Sequence, residues 1–260
     1  MSPWARASEL ERLLACPGSM ILPRDDTRRD FVHDAADWGK MVHRWKAHGV
    51  VEAEEGRKNH ERLLHERIAA SGIDRDVVWP GFMHEIGVAV DCASDAVELM
   101  SGHGSAVDAW KAAKPESWIV GTCDGWAEMD GWLVVDDLKT GRMPPDPDCA
   151  QMLLYATAAM HDRRVDRAIL RITHWPRYPR GGKPQFITKS ITADDIAGFR
   201  ADCRAGYDRY LEAKSLVVPD VPATLMPVLD TGEHCRYCDS RGACPAYAIE
   251  TNATAIEERS

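Results

Sequence analysis

Long apolar runs are missing from this chain. Nowhere in its 260 residues do apolar side chains continue for the ~20 positions that a spanning helix requires, so no membrane segment is expected. The opening stretch, MSPWARASELERLL, also lacks the charged-then-apolar order of a secretory leader, and the expectation is a cytoplasmic protein. Its eight cysteines are then expected to be reduced thiols rather than disulfides. There is no internal repeat and no low-complexity tract, which excludes a repeat array. An excess of positive charge is missing as well: the net charge is −9, which argues against a general polyanion binder. What remains is a globular chain, 45% hydrophobic, long enough for one large domain or two small ones.

The most informative stretch that is present runs from Ser117 to Thr140, SWIVGTCDGWAEMDGWLVVDDLKT. Two β-rich runs flank Asp130-Gly131, and Asp-Gly in that setting predicts a two-residue hairpin turn. Cross-strand partners are then residues whose numbers add to 261, which sets Asp124 opposite Asp137. Side chains alternate with period two, so Lys139 shares a face with Asp137, and Asp136 points away from it. Like charges directly opposed at about 5 Å are destabilising, so a strand pair that keeps two carboxylates there is expected to hold a cation between them. The bland reading is an exposed hairpin whose acids only keep an edge soluble.

Around the hairpin, periodicity gives the order of elements. Ser8 and Glu11 form a capping-box pattern opening a short helix that ends near Cys16-Pro17-Gly18. A helix is predicted over about Asp30–His48, with an apolar stripe of Phe31, Ala35, Trp38, Val42 and Trp45 and with His43 at its edge. A third follows over about Asn59–Ala70, then a break at Pro80-Gly81 and a strand, FMHEIGVAVD, that contains Glu85. After the hairpin, Pro144, Pro145 and Pro147 enforce an extended turn. A helix over about Asp148–His161 places Gln151 and Tyr155 four apart on one face. RAILRITHW and QFITKSI read as strands joined through Gly181-Gly182, and Thr192 caps a helix from about Ala193 to Lys214. Helices on both sides of mixed, mostly antiparallel strands predict an α/β fold, a central mixed sheet flanked by helices. The divisions expected are one domain over 1–260, built from an N-terminal segment 8–30, a core 31–214, a cysteine-rich segment 215–247 and a tail 248–260.

One stretch runs against the overall charge. Arg163–Lys183 carries seven Lys or Arg against one acid. Such stretches are usually a solvated strand and loop. Trp175 and Tyr178 interleaved with Arg171, Arg177 and Arg180 raise the alternative of a DNA-binding surface, since nucleic-acid grooves combine cations with stacking rings.

The order Gly39-x-x-x-His43, Glu85, Gly121-Thr122-x-Asp124, Asp137-Leu138-Lys139 and Gln151-x-x-x-Tyr155 resembles the PD-(D/E)XK nuclease superfamily, and within it the RecB-type exonuclease branch. The likeness spans about residues 8 to 247. One element departs from the pattern: the family's histidine motif commonly reads Gly-Thr-x-x-His, and here it is GKMVH. The resemblance implies a restriction-endonuclease-like core and metal-dependent hydrolysis of DNA phosphodiesters, in DNA end processing, recombination or repair. It implies Asp124, Asp137 and the Leu138 carbonyl as metal ligands, His43 and Glu85 as further ligands, Lys139 as the charge-stabilising group, and Gln151 and Tyr155 facing substrate. The residue types suit that chemistry. Hard Mg²⁺ or Mn²⁺ ions take carboxylate and carbonyl oxygens and keep waters, and an imidazole tilts preference towards Mn²⁺. The expected substrate is DNA, single-stranded or with free ends.

Cys235-x2-Cys238-x5-Cys244 near the end leaves three sulfurs looking for a fourth ligand, and Cys16 is the candidate. Spacing alone favours structural zinc, with His234 as a substitute ligand. The split arrangement, one cysteine before the core and three after it, resembles the iron–sulfur staple of AddB-type and CRISPR-associated RecB-like exonucleases, which shifts the expectation to a 4Fe–4S cluster. Cys92, Cys123, Cys149 and Cys203 have no ligand spacing and read as buried thiols. Two readings from other classes stay open: a catalytically silent nucleic-acid-binding module that keeps the cluster, and a zinc-stapled interaction protein.

Overall fold

The computed structural model describes residues 4–23, 33–51, 58–79, 81–102, 105–176, 183–216 and 229–249. In chain order the elements are β1 (Ala5–Arg6), α1 (Leu10–Ala15), α2 (His33–His48), α3 (Lys58–Ser71), α4 (Arg75–Val78), β2 (Met83–Asp91), β3 (Val97–Ser101) and α5 (Ser105–Ala112). They continue with β4 (Trp118–Met129), β5 (Trp132–Lys139), α6 (Ala150–Arg163), β6 (Arg167–His174), β7 (Gln185–Thr192) and α7 (Ala193–Ser215). The expected turn at Gly181-Gly182, the break at Pro80, the start of the second helix at Asp30 and Phe31, residues 217–228 and the tail 250–260 lie outside the described residues.

The strands form one mixed seven-stranded sheet, in the order β3-β2-β4-β5-β6-β7, with β1 paired to β4 as well. β5–β6 and β1–β4 are parallel and the other pairs antiparallel. The hairpin register is the expected one, since Met129 pairs with Trp132 and the ladder runs to Gly125 opposite Asp136. Asp130 and Gly131 take φ +50° and +79°, the left-handed values that a two-residue turn requires.

Helices cover both faces. On one, α1, α6 and α7 pack on strand residues such as Ile86, Val88, Ile119, Val135 and Leu170. On the other, α2 seats Trp38, Met41, Val42 and Trp45 on Val134 and Leu138, with Leu64 of α3 beside them. Full burial of side chains this size is worth roughly 2 kcal/mol each, an upper estimate, and this is what docks α2 on the sheet. The stripe over Trp38, Val42 and Trp45 is thus the packed face.

Two local expectations fare differently. Thr192 and Asp195 do form a capping box at the start of α7. Ser8 caps nothing: pairing of β1 with β4 leads straight into a 3₁₀ turn, Ala7–Glu9, which places Ser8 inside the turn. β3 and α5 have no counterpart in the sequence reading. β3 is a half-exposed edge strand without a clear apolar alternation. No helix among the described residues is long and apolar enough to cross a membrane.

The sheet is kinked where it matters. On β4, Ile119 and Cys123 face the α6 side, yet so does Trp126, so alternation breaks between Cys123 and Trp126. On β2 the same break separates Met83 from Ile86. The two kinks are neighbours: Glu85 takes φ +54° and Gly125 takes φ +153°. A side chain at Gly125 would put its Cβ 2.1 Å from the Met83 carbonyl oxygen, so only glycine allows the strands to approach there.

Candidate active site

Asp124 stands just beyond the last paired residue of the hairpin, at the kink. Freed from the ladder, its carboxylate turns into the gap between β4 and β5. Oδ2 accepts the Leu138 N–H at 2.6 Å and Oδ1 lies 2.9 Å from Nδ1 of His43 on α2. Gly39, one helical turn before His43, has the Thr140 hydroxyl 3.1 Å from where a Cβ would stand, so its lack of a side chain lets α2 approach the end of β5. The N–H and C=O of one residue in a strand leave by the same edge, so the Leu138 carbonyl also faces this gap.

On the α6 side, Lys139 Nζ lies 2.6 Å from Asp137 Oδ2 and donates to Gln151 Oε1 at 2.9 Å. Gln151 Nε2 in turn donates to the Tyr155 hydroxyl at 2.8 Å. Asp137 Oδ2 is buried, and its contact with Lys139 is an ion contact without hydrogen-bond alignment. The structure therefore brings His43, Asp124, Asp137, Leu138, Lys139, Gln151 and Tyr155 to one place. Tyr155 corrects an expectation: it is 2% exposed and packs in the core against Gly121, reaching the site through Gln151.

The charges are tuned by burial and by one another. Burial alone would raise Asp124, but the charges of His43 and Lys46 and the hydrogen bonds from His43 and Leu138 hold its carboxyl well below the usual range. Asp137 moves the other way, raised by burial and by the neighbouring Asp124 charge against the pull of Lys139. Burial opposes the charge on His43 and on Lys139, but the carboxylates beside them win and both pKa values rise. The two adjacent carboxylates are thus coupled, the charge on Asp124 opposing ionisation of Asp137.

The donor set fits a hard divalent ion. It offers two carboxylates, one with a buried oxygen lacking an aligned donor, together with a backbone carbonyl and an imidazole. Among the described residues no three His, Cys, Asp or Glu side chains are gathered closely enough to enclose a metal by themselves. An ion held here would need waters to complete its coordination.

Glu85 sits at the kink of β2, and its carboxylate lies 3.5 Å from Nε2 of His48, one turn along α2 from the site. Asp136 faces away from Asp137, as expected, but it is not idle. Fully buried, it accepts from Lys46 Nζ at 2.7 Å, Trp79 Nε1 at 2.7 Å, Arg171 Nε at 2.6 Å and the Thr173 hydroxyl at 2.6 Å. Lys46 also lies 3.7 Å from Asp124 Oδ2, so it bridges the two carboxylates. Lys46 is the residue that sequence reasoning missed. The signal was available, because Lys46 interrupts the apolar stripe four positions after Val42 on a helix face that packs on the sheet.

This network corrects two further expectations. Arg171 is a buried counter-ion of Asp136 and not a phosphate contact, and its Nη2 donates to the Val78 carbonyl at 3.3 Å. Trp175 is 1% exposed, packed against Trp45, and has no face for a base. Both follow from β6 being an inner strand covered by α2 and α3. Arg177, Tyr178 and Arg180 lie outside the described residues.

The two ends of the chain meet at the cysteines. Cys16 packs with Cys244, Leu22, Ala213, Leu229 and Ala246, and the Ser240 hydroxyl donates to the carbonyls of Ser19 and Leu22. Burial pushes the Cys16 thiol up, and Cys244 and Cys238 are close enough to push it further. Arg12 Nη1 lies 3.7 Å from Cys238 Sγ, and Cys235 occupies the same short segment, in the 3₁₀ turn Glu233–Tyr237. None of the four is in a disulfide, nor are the buried Cys92, Cys123, Cys149 and Cys203.

Among solved structures, the chain is similar to SSO0001, with 14% identity and a TM-score of 0.38 over 93% of this chain and 85% of that one. It is also similar to a phage related exonuclease from Haemophilus somnus 129PT, with 12% identity and a TM-score of 0.29 over 82% of this chain and 97% of that one. Both likenesses are too remote to bear on the site. None of the curated proteins matches. The sequence model of the PD-(D/E)XK nuclease superfamily matches residues 6–245, from the first strand to the last cysteine, and the chain belongs to that superfamily.

Proposed function

We propose that the protein is a metal-dependent DNA exonuclease of the RecB-like kind, hydrolysing phosphodiester bonds at strand ends during DNA processing, recombination or repair. The observation that carries this reading is the convergence of Asp124, Asp137 and Lys139 at the gap between β4 and β5, with His43 brought to the same gap from α2.

Asp124, Asp137, the Leu138 carbonyl and His43 would hold Mg²⁺ or Mn²⁺. When bound, such an ion supplies a Lewis acid and a water of lowered pKa. Lys139, kept charged by Asp137 and aimed by Gln151, stabilises negative charge that develops on the phosphoryl oxygens. Leu138 N–H and His43 fix the Asp124 carboxylate so that little reorganisation is needed. Glu85, paired with His48, serves as an outer group. Cys16, Cys235, Cys238 and Cys244 would bind a 4Fe–4S cluster that staples the two ends of the chain, with zinc as the alternative occupant.

The test is digestion of end-labelled DNA by anaerobically purified protein, with Mn²⁺ or with EDTA. Cleavage is expected with the metal only. Asp137→Asn and Lys139→Ala are each expected to slow it by about 100-fold or more, the usual cost of one group that acts on transition-state charge. Near-parental rates in either folded variant, or undiminished cleavage in EDTA, would overturn the reading.

A further inference from the structure

The gap that holds Asp124 continues beyond it. β2 occupies one edge of β4 along Trp118–Trp126, so β1 and β5 must share the other edge. β1 pairs with Ile119 and Val120, and β5 begins to pair at Gly125. Neither strand pairs with residues 121–124, which leaves an opening of roughly 13 Å in the middle of the sheet at ~3.3 Å per residue. Into this opening leads a cleft of about 760 Å³ whose walls include Arg6, Ser8, Lys111, Thr122 and Gln151. Gln151 touches Lys139, so the cleft and the candidate active site meet at that side chain.

The lining says what would fit. Volumes in this range hold small organic ligands. The cations Arg6 and Lys111 are accompanied by Glu9 and Asp108, and Asp108 lies 2.8 Å from Lys111 Nζ, so the walls are not those of a pure anion site. Lys111 Nζ also donates to the Thr122 hydroxyl at 3.1 Å, holding both polar groups on the cleft wall two residues from Asp124. Donors, acceptors and the half-buried apolar side chain of Met20 together suit a base and its sugar. β1 and the turn after it line the part of the cleft away from Gln151, the side chain that touches Lys139.

We infer that this cleft receives the terminal nucleotide of the strand whose phosphodiester is cut, with Lys111 and Thr122 as its specificity determinants. The inference rests on the exonuclease reading above and adds to it the place where the end is held, a cleft that an unpaired terminal nucleotide fits. It also gives functional meaning to β1, the 3₁₀ turn after it and α5, which form three sides of the cleft.

The experiment compares two substrates of the full-length protein with Mn²⁺: an end-labelled single-stranded oligonucleotide and bis(p-nitrophenyl) phosphate, a diester with no base. Lys111→Ala and Thr122→Val are each expected to lower the ratio of the two rates about tenfold, as loss of one hydrogen bond to the ligand implies. The change should appear as a raised KM for DNA, and Thr122→Ser should restore the parental ratio. The unmodified protein should also cut a linear strand and spare a circular one of the same sequence, a comparison that needs no variant. Ratios within twofold of the parent would overturn the inference and leave the exonuclease reading standing, whereas equal cutting of circles and lines would overturn both. A parent protein that hydrolyses neither substrate would remove both.

Discussion

Asp136→Ala tests the buried network most directly. Asp136 is 0% exposed and is the shared counter-ion of Lys46 at 1% exposure and Arg171 at 9%. Removing one partner of a buried pair costs about 3–5 kcal/mol, because the remaining charge is left buried. The two cations do not add fully, since Lys46 keeps Asp124 at 3.7 Å and Arg171 keeps the Val78 carbonyl at 3.3 Å. Trp79 and Thr173 each lose an acceptor, at about 1 kcal/mol apiece. The expected loss is about 6 kcal/mol, against the 5–15 kcal/mol of a typical domain. Asp136→Asn keeps an acceptor and loses the charge, so about 3 kcal/mol is expected. Lys46→Met removes the buried ammonium and leaves Asp136 paired with Arg171, for about 2 kcal/mol. Urea unfolding in EDTA, followed by the fluorescence of the nine tryptophans, gives the order. If Asp136→Ala lies within about 1 kcal/mol of the parent, or Lys46→Met is less stable than Asp136→Asn, the network does not hold the fold as argued.

Two further expectations follow from the kink and from the staple. Gly125→Ala should cost about 3 kcal/mol or more, because β2 and β4 must separate, whereas Gly131→Ala in the open turn should cost about 1 kcal/mol; equal shifts in melting temperature would contradict the close approach at Met83. Cys16→Ser should remove the bound iron or zinc and lower the melting temperature, while Cys203→Ser should leave the metal in place; parental metal content and melting in both would exclude Cys16 as a ligand.

What was legible in the sequence was local. Asp130-Gly131 fixed a register, and from that register the ladder up to Gly125 opposite Asp136 and the shared face of Asp137 and Lys139 followed by counting, while Asp124, expected directly opposite Asp137, lies beyond the last pair. Thr192 announced the start of α7 for the same reason, since its capping partner, Asp195 in the structure, lies within three residues. What escaped was set by tertiary packing. Nothing near Asp136 reveals that Lys46, Trp79 and Arg171 converge on it from three other elements. Basic residues interleaved with aromatics read as a nucleic-acid surface until β6 is known to be an inner strand, where the same arginine is a core counter-ion. The kink at Glu85 and Gly125 was hidden too, because strict alternation was assumed through the very residues that break it.

The placement of α2 has a consequence for how the site comes into being. Asp124, Asp137, Lys139, Gln151 and Tyr155 lie within 32 consecutive residues and can find one another through a hairpin and the helix that follows. His43 and Lys46 come from a helix some 80 and 90 residues away, respectively, and they arrive together, three residues apart on one face. Contacts of such long separation form late, after the loop-closure entropy has been met. Until α2 docks, the three aspartates keep the cations Lys139 and Arg171 but lack Lys46, and the Asp124 carboxylate lacks its imidazole neighbour. Assembly thus works as an interlock: a nascent or partly unfolded chain holds an incomplete centre, and the candidate site is complete only when α2 has closed over the sheet.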